Sequence, residues 1–234
     1  MAGYNTPTIT PGKIHDQTPT QLKCLQLNLH HSRLATDNLN KIIEEENIDI
    51  LCIQEPYEIR KQITGFPRRL KIFIEGEGKH RAAILVNNNR LDTILLKQLS
   101  DEDAVVIELI LGNKKVIIAS MYFDINRNID TDLRKIEAII QHAQYAGILI
   151  AMDSNARSSS WHDILTNGRG RTLEEFLTSQ QLYIMNEESY LTTFQSSRGK
   201  SNIDITITNY RLLSDVVDWE IADQQNFSDH NIIR

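Results

Sequence analysis

Polar residues end several short apolar runs, and this placement constrains the fold of the chain more than any other feature. The run 49–53 is almost entirely apolar, as expected of a strand that is covered on both faces. The residues that end such runs are Asn28, Gln54, Glu55, Asp153, Ser154 and Asn155. Ligands of α/β sheets bind just beyond the carboxyl ends of strands. We therefore expect an α/β domain in which these side chains share one mouth.

The size and composition of the chain fit a globular protein. Its 234 residues, 41% hydrophobic and 24% charged, suffice for one large α/β domain or two small ones. No apolar run approaches the roughly 20 residues of a membrane helix, and no signal peptide pattern is present. The two cysteines, Cys24 and Cys52, lie inside apolar runs, which favours reduced core residues of an intracellular protein.

The two ends of the chain differ from its middle. Residues 1–21 contain three of the five prolines and lack periodicity, which predicts a flexible leader. Residues 22–234 then form the folded domain. Because Arg234 lies within a strand-like segment, we expect this domain to be excised from a longer protein.

The periodicity of the sequence predicts two packed sheets flanked by helices. Helices are predicted from Thr36 or Asp37 to Asn47, over 130–145 with Asp130 or Thr131 as cap, and over 172–179 with Thr172 as cap. Gly112-Asn113 predicts a hairpin turn. The predicted strands are 22–29, 49–54, 71–74, 82–86, 91–99, 104–111, 114–121, 148–152, 182–185, 191–194, 203–208, 215–221 and 230–234.

The residues at the predicted mouth suit metal-assisted hydrolysis. A carboxylate at Glu55 is costly to bury unless it binds a cation or pairs with a base, although it can also be a surface residue at a strand end. Hard oxygen ligands such as Glu55, Asn28 and Asp229 suit Mg²⁺, with Mn²⁺ left open. Asp153 and Asn155 face the same way on an extended backbone. The aspartate can activate water, and the amide can donate to a phosphoryl oxygen.

The Ser228-Asp229-His230 sequence adds a histidine to this set. A protonated imidazole would stabilise the charge that develops on a phosphodiester, and Asp204 is the candidate that raises its pKa and fixes its tautomer. An acyl-transfer triad is a weak alternative, because Ser228 lacks a Gly-flanked elbow. His30 and His31 are either plain loop residues or part of the groove. Trp161 either packs beneath the site or touches DNA.

The charge of the chain is uneven. A net charge of −6 argues against a protein that simply coats DNA. Four basic clusters, at 68–71, 79–81, 169–171 and 198–200, are consistent with contacts to a phosphate backbone or with a solvated surface. A hairpin between Leu191 and Asp204 would place basic residues in a groove. The predicted DNA-contacting residues are Thr193, Phe194, Arg198, Lys200 and Ser228.

The motifs, taken in order, resemble the exonuclease–endonuclease–phosphatase superfamily. They are Gln26-Leu27-Asn28, Ile53-Gln54-Glu55-Pro56-Tyr57, Tyr122, Asp153-Ser154-Asn155-Ala156, Ser201-Asn202-Ile203-Asp204 and Ser228-Asp229-His230. The motifs at 54–57, 153–161 and 228–230 resemble the apurinic/apyrimidinic-endonuclease-like domain of non-LTR (LINE-type) retrotransposons, including the insect telomere-repeat TRAS type. This resemblance covers residues 22–234.

The resemblance implies a four-layer, DNase I-like α/β sandwich. It implies Glu55 as the main metal ligand with Asn28 and Asp229 nearby, Asp153 and Asn155 at the attacking water and scissile phosphate, Tyr122 at the phosphate or leaving group, and a His230–Asp204 pair. Domains of this kind nick one DNA strand and leave a 3′-hydroxyl, which a reverse transcriptase farther along the polyprotein extends. The implied partners are double-stranded DNA and that reverse transcriptase, without a membrane, and the implied location is the nucleus.

Two departures and several alternatives remain. Tyr122 is followed by Phe123-Asp124-Ile125 where the family often has Tyr-x-x-Pro. Met152 and Ser154 replace the Gly and Phe of a Gly-Asp-Phe-Asn motif, so the loop shape can differ. The alternative functions are an abasic-site repair endonuclease, a lipid phosphodiesterase of the same fold and a non-catalytic DNA-binding module. The sequence leaves the DNA target and the oligomeric state open.

Overall fold

The computed structural model describes residues 21–234, so the predicted leader lies outside the described residues except for Gln21. The described chain folds into fourteen strands, three α-helices and two short 3-10 helices. The strands are β1 (Cys24–Asn28), β2 (Ile50–Gln54), β3 (Glu58–Ile59), β4 (Gln62–Ile63), β5 (Lys71–Phe73), β6 (Ala82–Val86), β7 (Thr93–Leu95), β8 (Ala104–Leu111), β9 (Lys114–Tyr122), β10 (Gly147–Asp153), β11 (Leu182–Ile184), β12 (Phe194–Ser196), β13 (Gly199–Ser201) and β14 (Asp204–Asn209). The helices are α1 (Arg33–Glu46), α2 (Asp130–Ala143) and α3 (Gly168–Ser179), and the 3-10 helices span Lys97–Leu99 and Ser159–Trp161.

Two large sheets form the centre of the fold. One has the strand order β1-β2-β6-β5, and the other has the order β11-β14-β10-β9-β8-β7. Each sheet contains one parallel pair of strands. Helix α1 connects β1 to β2 in the first sheet, and helix α2 connects β9 to β10 in the second. The hairpins β3–β4 and β12–β13 are separate two-stranded sheets. The turn at Gly112-Asn113 joins β8 to β9 as predicted.

Alternating apolar residues arrange these sheets and helices in four layers. In β2, Leu51 and Ile53 pack in the core under α1, while Ile50 and Cys52 pack in the core between the sheets. Strand β10 alternates in the same way between the inter-sheet core and the core under α2 and α3. Both strands are therefore covered on both faces. The predicted four-layer sandwich is confirmed.

The two parallel pairs bring four carboxyl strand ends to one edge of the sandwich. Asn28 lies opposite Gln54 at the ends of β1 and β2. Asp153 at the end of β10 lies opposite Tyr122 on one side and opposite Asp204, the first residue of antiparallel β14, on the other. The topology thus collects the predicted polar strand ends in one place.

The predicted helix caps are wrong at all three helices. Helix α1 begins at Arg33 because the side chain of Ser32 accepts a hydrogen bond from the Ala35 N–H. Helix α2 follows Ile129, which makes no side-chain cap. Helix α3 begins at Gly168, since Asn167 caps it by accepting from the Gly170 N–H. These caps lie up to five residues before the predicted ones.

Several short strands also differ from the prediction. The segment 91–99 is only partly extended, because a 3-10 helix replaces its last residues. The strand predicted at 191–194 begins instead at Phe194. The segments 215–221 and 230–234 contain isolated bridges rather than strands, namely Ile221 with Ile233 and Gln26 with Ile233, and Phe194 with His230.

Both cysteines are free thiols, with Cys52 buried and Cys24 half-buried, in agreement with the prediction of reduced core residues. Burial raises the pKa of the Cys24 thiol to about 12, so it stays protonated at neutral pH. Within residues 21–234, every helix is too short or too polar to cross a bilayer.

Candidate active site

Buried hydrogen bonds lock the two sheets together at the shared mouth. The Asn28 side-chain amide donates to Asp153 Oδ2 over 2.8 Å, and this contact bridges strands of different sheets. Gln54 Nε2 donates to Ser120 Oγ at 3.0 Å a short way below. Because buried polar groups cost free energy unless they are paired, these contacts fix the mutual register of the sheets where the site forms.

Asp153, Asp204 and His230 form the inner set of the site, and all three are almost fully buried. Their exposed fractions are 2%, 1% and 5%. Nδ1 of His230 lies 2.8 Å from Asp204 Oδ2, and its Nε2 lies 3.9 Å from Asp153 Oδ2. The imidazole therefore has one carboxylate as a hydrogen-bond partner and faces a second one.

The protonation states of the inner set follow from burial and mutual charge. Burial alone would lower the pKa of His230, but the adjacent Asp204 carboxylate outweighs it and raises that pKa to about 9. Burial, together with the negative charge of Asp204, raises the pKa of Asp153 to about 7. At neutral pH the site therefore holds a protonated imidazole beside an aspartate that gains and loses a proton readily.

The inner set has the spacing of a metal site but not its chemistry. One ligand atom from each residue lies within 4.8 Å of the others. A protonated imidazole, however, has no free lone pair for an ion, and Nδ1 of His230 is already bonded to Asp204. This set fits proton transfer and charge stabilisation better than metal binding.

Glu55, His31 and Asp229 form the outer set, which is open to solvent. The exposed fractions of their side chains are 18%, 26% and 49%. His31 Nε2 lies 3.4 Å from Glu55 Oε1. Burial disfavours charge on Glu55, but the hydrogen bond and charge of His31 outweigh it and lower the pKa of Glu55. The carboxylate oxygens of Glu55 and Asp229, with the nearby Asn28 amide oxygen, fit a hard divalent cation.

The backbone at the strand ends turns the site residues into the mouth. Glu55 and Asn155 both have positive φ, 43° and 46°, in the region that non-glycine residues rarely adopt. The Glu55 N–H donates to Arg81 O at 2.9 Å, and the Asn155 N–H donates to Asp153 Oδ1 at 3.1 Å. These bonds hold the chain in a conformation that costs free energy, as is common at functional sites.

Tyr122 and Asn155 lie on the same side of the mouth. The Asn155 side-chain amide donates to Phe123 O at 3.0 Å. The Tyr122 ring is half-buried beneath Arg81, whose Cζ lies 5.0 Å from the ring centroid. Burial and the charges of Glu55 and Asp153 raise the pKa of Tyr122, so its phenol remains protonated. The proton on this phenol is therefore available as a hydrogen-bond donor.

The altered motif around Asp153 keeps its backbone well bonded. Ser154 Oγ donates to Ile203 O at 2.7 Å and accepts from the Ala156 N–H at 3.2 Å. Ser154, which stands where the motif has Phe, thus holds the local backbone through hydrogen bonds. Trp161 is fully buried, and its indole N–H donates to Asn202 O at 3.0 Å, so of its two predicted positions the one beneath the site is confirmed.

Strands β12 and β13 form the basic hairpin (residues 194–201) at the edge of the mouth. The Phe194 ring meets the His230 ring edge-on, with centroids 4.9 Å apart. Arg198 and Lys200 are exposed near the tip. Ser228 is half-buried, and its hydroxyl donates to Asn28 O at 2.6 Å. The hairpin thus joins the inner set to exposed cations.

Thr193 was predicted to contact DNA, and this prediction is wrong. The residue is fully buried, and its hydroxyl accepts hydrogen bonds from the Ile203 and Asp204 N–H groups at 3.0 and 3.1 Å. It positions the start of β14 and has no surface to offer a ligand.

Sequence reasoning missed the roles of His31 and Arg81. His31 was left open as a loop residue, yet it pairs with Glu55. Arg81 was seen only as part of a basic cluster, but it binds Asp103 through two nitrogens, at 2.6 and 2.8 Å, and covers Tyr122. The pair of histidines two and three residues after Asn28 was the available signal for His31. No local pattern pointed to Arg81.

Comparison with known proteins gives a consistent result. Residues 116–234 match the family model described as Endonuclease-reverse transcriptase. The chain is 25% identical over 218 residues to the putative 115 kDa protein in type-1 retrotransposable element R1DM of Drosophila melanogaster, covering 89% of this chain and 21% of the relative. It is 26% identical over 187 residues to the retrovirus-related Pol polyprotein from type-1 retrotransposable element R1 of Bradysia coprophila, covering 75% and 19%. The chain thus spans about a fifth of the length of these relatives.

Solved structures share the fold. The endonuclease domain of TRAS1, a telomere-specific non-LTR retrotransposon, superposes with a TM-score of 0.81 at 26% identity, covering 91% of this chain and 96% of that one. The AP endonuclease LMAP from Leishmania major superposes with a TM-score of 0.67 at 14% identity, covering 97% and 91%. At 14% identity, the match to the Leishmania major protein supports the fold alone.

Proposed function

Because this chain belongs to the endonuclease–reverse transcriptase family, as an AP-endonuclease-like domain of a non-LTR retrotransposon, we propose that it nicks one strand of duplex DNA by metal-dependent hydrolysis. The nick leaves a 3′-hydroxyl that primes reverse transcription. The observation that carries this proposal is the buried His230, bonded to Asp204 and facing Asp153.

Asp153 is the group that activates the attacking water. Its pKa of about 7 makes it a far better proton acceptor at neutral pH than an ordinary aspartate. Asn28 and the Asn155 N–H each hold one of its oxygens, which fixes the orientation of the carboxylate. The water loses a proton to Asp153 as its oxygen bonds to phosphorus.

His230 stabilises the charge that develops on the phosphate. Its positive charge is maintained by Asp204 in a dry environment, where electrostatic interactions are stronger than in water. Because Nδ1 is bonded to Asp204, the Nε2–H is the donor that remains for a phosphoryl oxygen. Asp204 is a positioning residue, since it acts through the imidazole.

Asn155 and Tyr122 complete the contacts to the phosphate. The Asn155 amide has a second N–H, beyond the one bonded to Phe123 O, for a phosphoryl oxygen. The protonated Tyr122 phenol donates to the phosphate or to the departing 3′-oxygen. When the P–O3′ bond breaks, that oxygen takes up a proton from solvent water and becomes the 3′-hydroxyl.

Glu55, with Asn28 and Asp229, is the set of residues that would hold Mg²⁺ or Mn²⁺. A bound divalent ion supplies positive charge that polarises the phosphate and stabilises the leaving oxygen. The low pKa of Glu55 supports this assignment, because a ligand carboxylate must be ionised.

The wider setting belongs to the same proposal. The curated relatives are proteins of retrotransposable elements, of which this chain spans about a fifth. The domain would act on chromosomal DNA in the nucleus, with a reverse transcriptase in the same polyprotein using the nick.

A strand-specific nicking assay tests the proposal. Supercoiled plasmid carrying blocks of telomeric repeats and ribosomal DNA is incubated with the protein, with and without Mg²⁺, and the ends are mapped to the nucleotide. We expect metal-dependent nicks with 3′-hydroxyl ends that are absent in His230→Ala.

Two other results would replace the proposal. Cleavage confined to duplexes with an abasic site would identify a repair endonuclease. Binding without cleavage under any metal condition would identify a DNA-binding module. Circular dichroism of His230→Ala shows whether a loss of activity has a structural cause.

A further inference from the structure

A turn beside the active site exposes two aliphatic side chains. Ile164 is 92% exposed and Leu165 is 45% exposed. We name this segment the apolar turn (residues 163–166). Isolated surface aliphatics are common, but an adjacent pair at a projecting turn places contiguous apolar surface in water.

The apolar turn is held rigidly from below. Arg157 contacts Asp163 Oδ1 through Nε and Nη2, both at 2.9 Å, and Asp163 is only 6% exposed. The same carboxylate accepts from the Leu165 N–H at 3.1 Å and from the Asn202 N–H at 2.7 Å. A buried ion pair with these additional hydrogen bonds fixes the backbone that carries the exposed side chains.

The same bonds place the apolar turn next to the basic hairpin. Asn202 directly follows β13, and its side-chain amide donates to His162 O at 2.8 Å. Trp161, buried beneath, donates to Asn202 O at 3.0 Å. Since Phe194 of the hairpin touches His230, one continuous wall leads from the inner set through the hairpin to the apolar turn.

The charges of the basic hairpin favour duplex DNA as the partner. Arg198 and Lys200 project from the basic hairpin, while Asp163 is neutralised by Arg157. The cations of the basic hairpin attract the phosphates of a duplex, while an aliphatic side chain of the apolar turn can enter between base pairs. A rigid turn suits this role, because a wedge that could fold away would not separate stacked bases.

We propose that Ile164 and Leu165 act as a wedge that unstacks one base step next to the scissile phosphate. The wedge rests on the proposed nicking function and deepens it. It would make cleavage favour sequences whose steps open easily, so the apolar turn would help to choose the site of the nick.

The test compares intact duplex with duplex that is already opened. Nick positions of the unaltered protein are mapped first, and oligonucleotide duplexes of the preferred site are made with and without a mismatch at the cleaved step. The double variant Ile164→Ser/Leu165→Ser should cut intact duplex roughly tenfold more slowly, because unstacking costs free energy that the wedge offsets. It should cut the mismatched duplex at the unaltered rate.

Ile94→Ser is the matched control. Ile94 is 63% exposed on the edge strand β7, so the same kind of substitution removes exposed aliphatic surface elsewhere. This variant should cut both duplexes normally. Ile164→Leu, which keeps an aliphatic wedge, should retain most activity on intact duplex.

Two outcomes would overturn the wedge. Unchanged cleavage of intact duplex by the double variant would show that the apolar turn does not act on DNA and would favour a protein contact. Equal losses on both duplexes would show that the turn supports the fold instead.

A binding measurement separates failure of the wedge from failure of the proposed function. 2-Aminopurine placed at pyrimidine–purine steps, which open easily, reports unstacking by fluorescence in EDTA, without cleavage. The signal should rise with the unaltered protein and not with the double variant, even if neither cuts DNA. No rise with the unaltered protein would refute the wedge.

Discussion

The inner and outer sets lie within one mouth but differ in exposure to water. The inner set is at most 5% exposed, and its charges are fixed by neighbouring protein atoms. The outer set has side chains up to 49% exposed. Under the proposed function this difference is a division of labour, because protonation states are best controlled where water is excluded, whereas an ion and a DNA strand would arrive from solvent.

The comparison predicts two kinds of variant. A change in the inner set should abolish chemistry in a way that more metal cannot restore. A change in the outer set should weaken metal binding, so that part of the activity returns at high metal concentration.

The largest effect is expected from His230→Ala. Removing the charged imidazole should lower kcat by about 10²–10⁴-fold. KM should change little, because the contact strengthens as charge develops. Single-turnover nicking at saturating DNA measures this loss. Recovery of nicking by the variant with added Mg²⁺ would contradict the distinction between the inner and outer sets.

The second-largest effect is expected from Glu55→Gln. The amide keeps the size of the side chain but loses the charge that attracts a cation, so metal affinity should fall by more than about a hundredfold. Nicking titrated with Mg²⁺ and Mn²⁺ should show a shifted midpoint and a partly restored maximum. A lower maximal nicking rate at an unchanged midpoint metal concentration would show that Glu55 acts in the chemical step and not in metal binding.

Asp204→Asn should change the pH profile. Cleavage needs ionised Asp153 and protonated His230, so activity should rise through about pH 7 and fall towards about pH 9. Since Asp204 raises the pKa of His230, its removal should move the alkaline fall to lower pH by more than about one unit. If the alkaline limb of the pH–rate profile stayed at the same pH, the pairing of His230 with Asp204 would be contradicted. His142→Gln, at an exposed histidine in the last turn of α2, is the control.

His31→Ala should give a smaller loss. His31 orients Glu55 without belonging to the cation's own ligand set, so metal affinity should fall by about 10- to 100-fold while kcat at saturating metal stays near normal. Isothermal titration with Mn²⁺ provides a readout apart from activity. His142→Ala, at the far end of α2, is the matched control.

The smallest effect is expected from Arg198→Ala or Lys200→Ala. Each exposed cation that contacts a phosphate contributes about one unit to the salt slope of binding. Each variant should therefore weaken DNA binding severalfold and flatten the slope without altering kcat. Unchanged slopes in both would mean that the basic hairpin does not touch DNA.

The sequence predicted the covered strands and the residues at their ends well. Ala82–Val86 and Ala104–Leu111 match the predicted bounds because runs that are apolar except for Glu108, bounded by turn residues, leave little choice. Asn28, Glu55, Tyr122, Asp153 and Asp204 meet because β1, β2, β9 and β10 end, and β14 begins, at one edge of the sandwich.

The remaining features depend on contacts between distant residues. Asn167 caps α3 while also accepting from the Arg157 N–H, a contact that no local pattern indicates. The segment 215–221 has strand-like composition but makes a single bridge. Arg81 reaches Tyr122 only after two sheets have packed. Such placements require the folded chain.

The link between the early and late parts of the chain governs when activity can begin. Gln26 and Ile233 exchange backbone hydrogen bonds of 2.9 and 3.0 Å, and Ser228 bonds to Asn28 across 200 residues of sequence. A ribosome that adds about 5–20 residues per second needs roughly 10–40 s to make that stretch. A nascent chain is therefore without a complete inner set until His230 has emerged and docked. Synthesis itself delays the appearance of a nuclease in the cell.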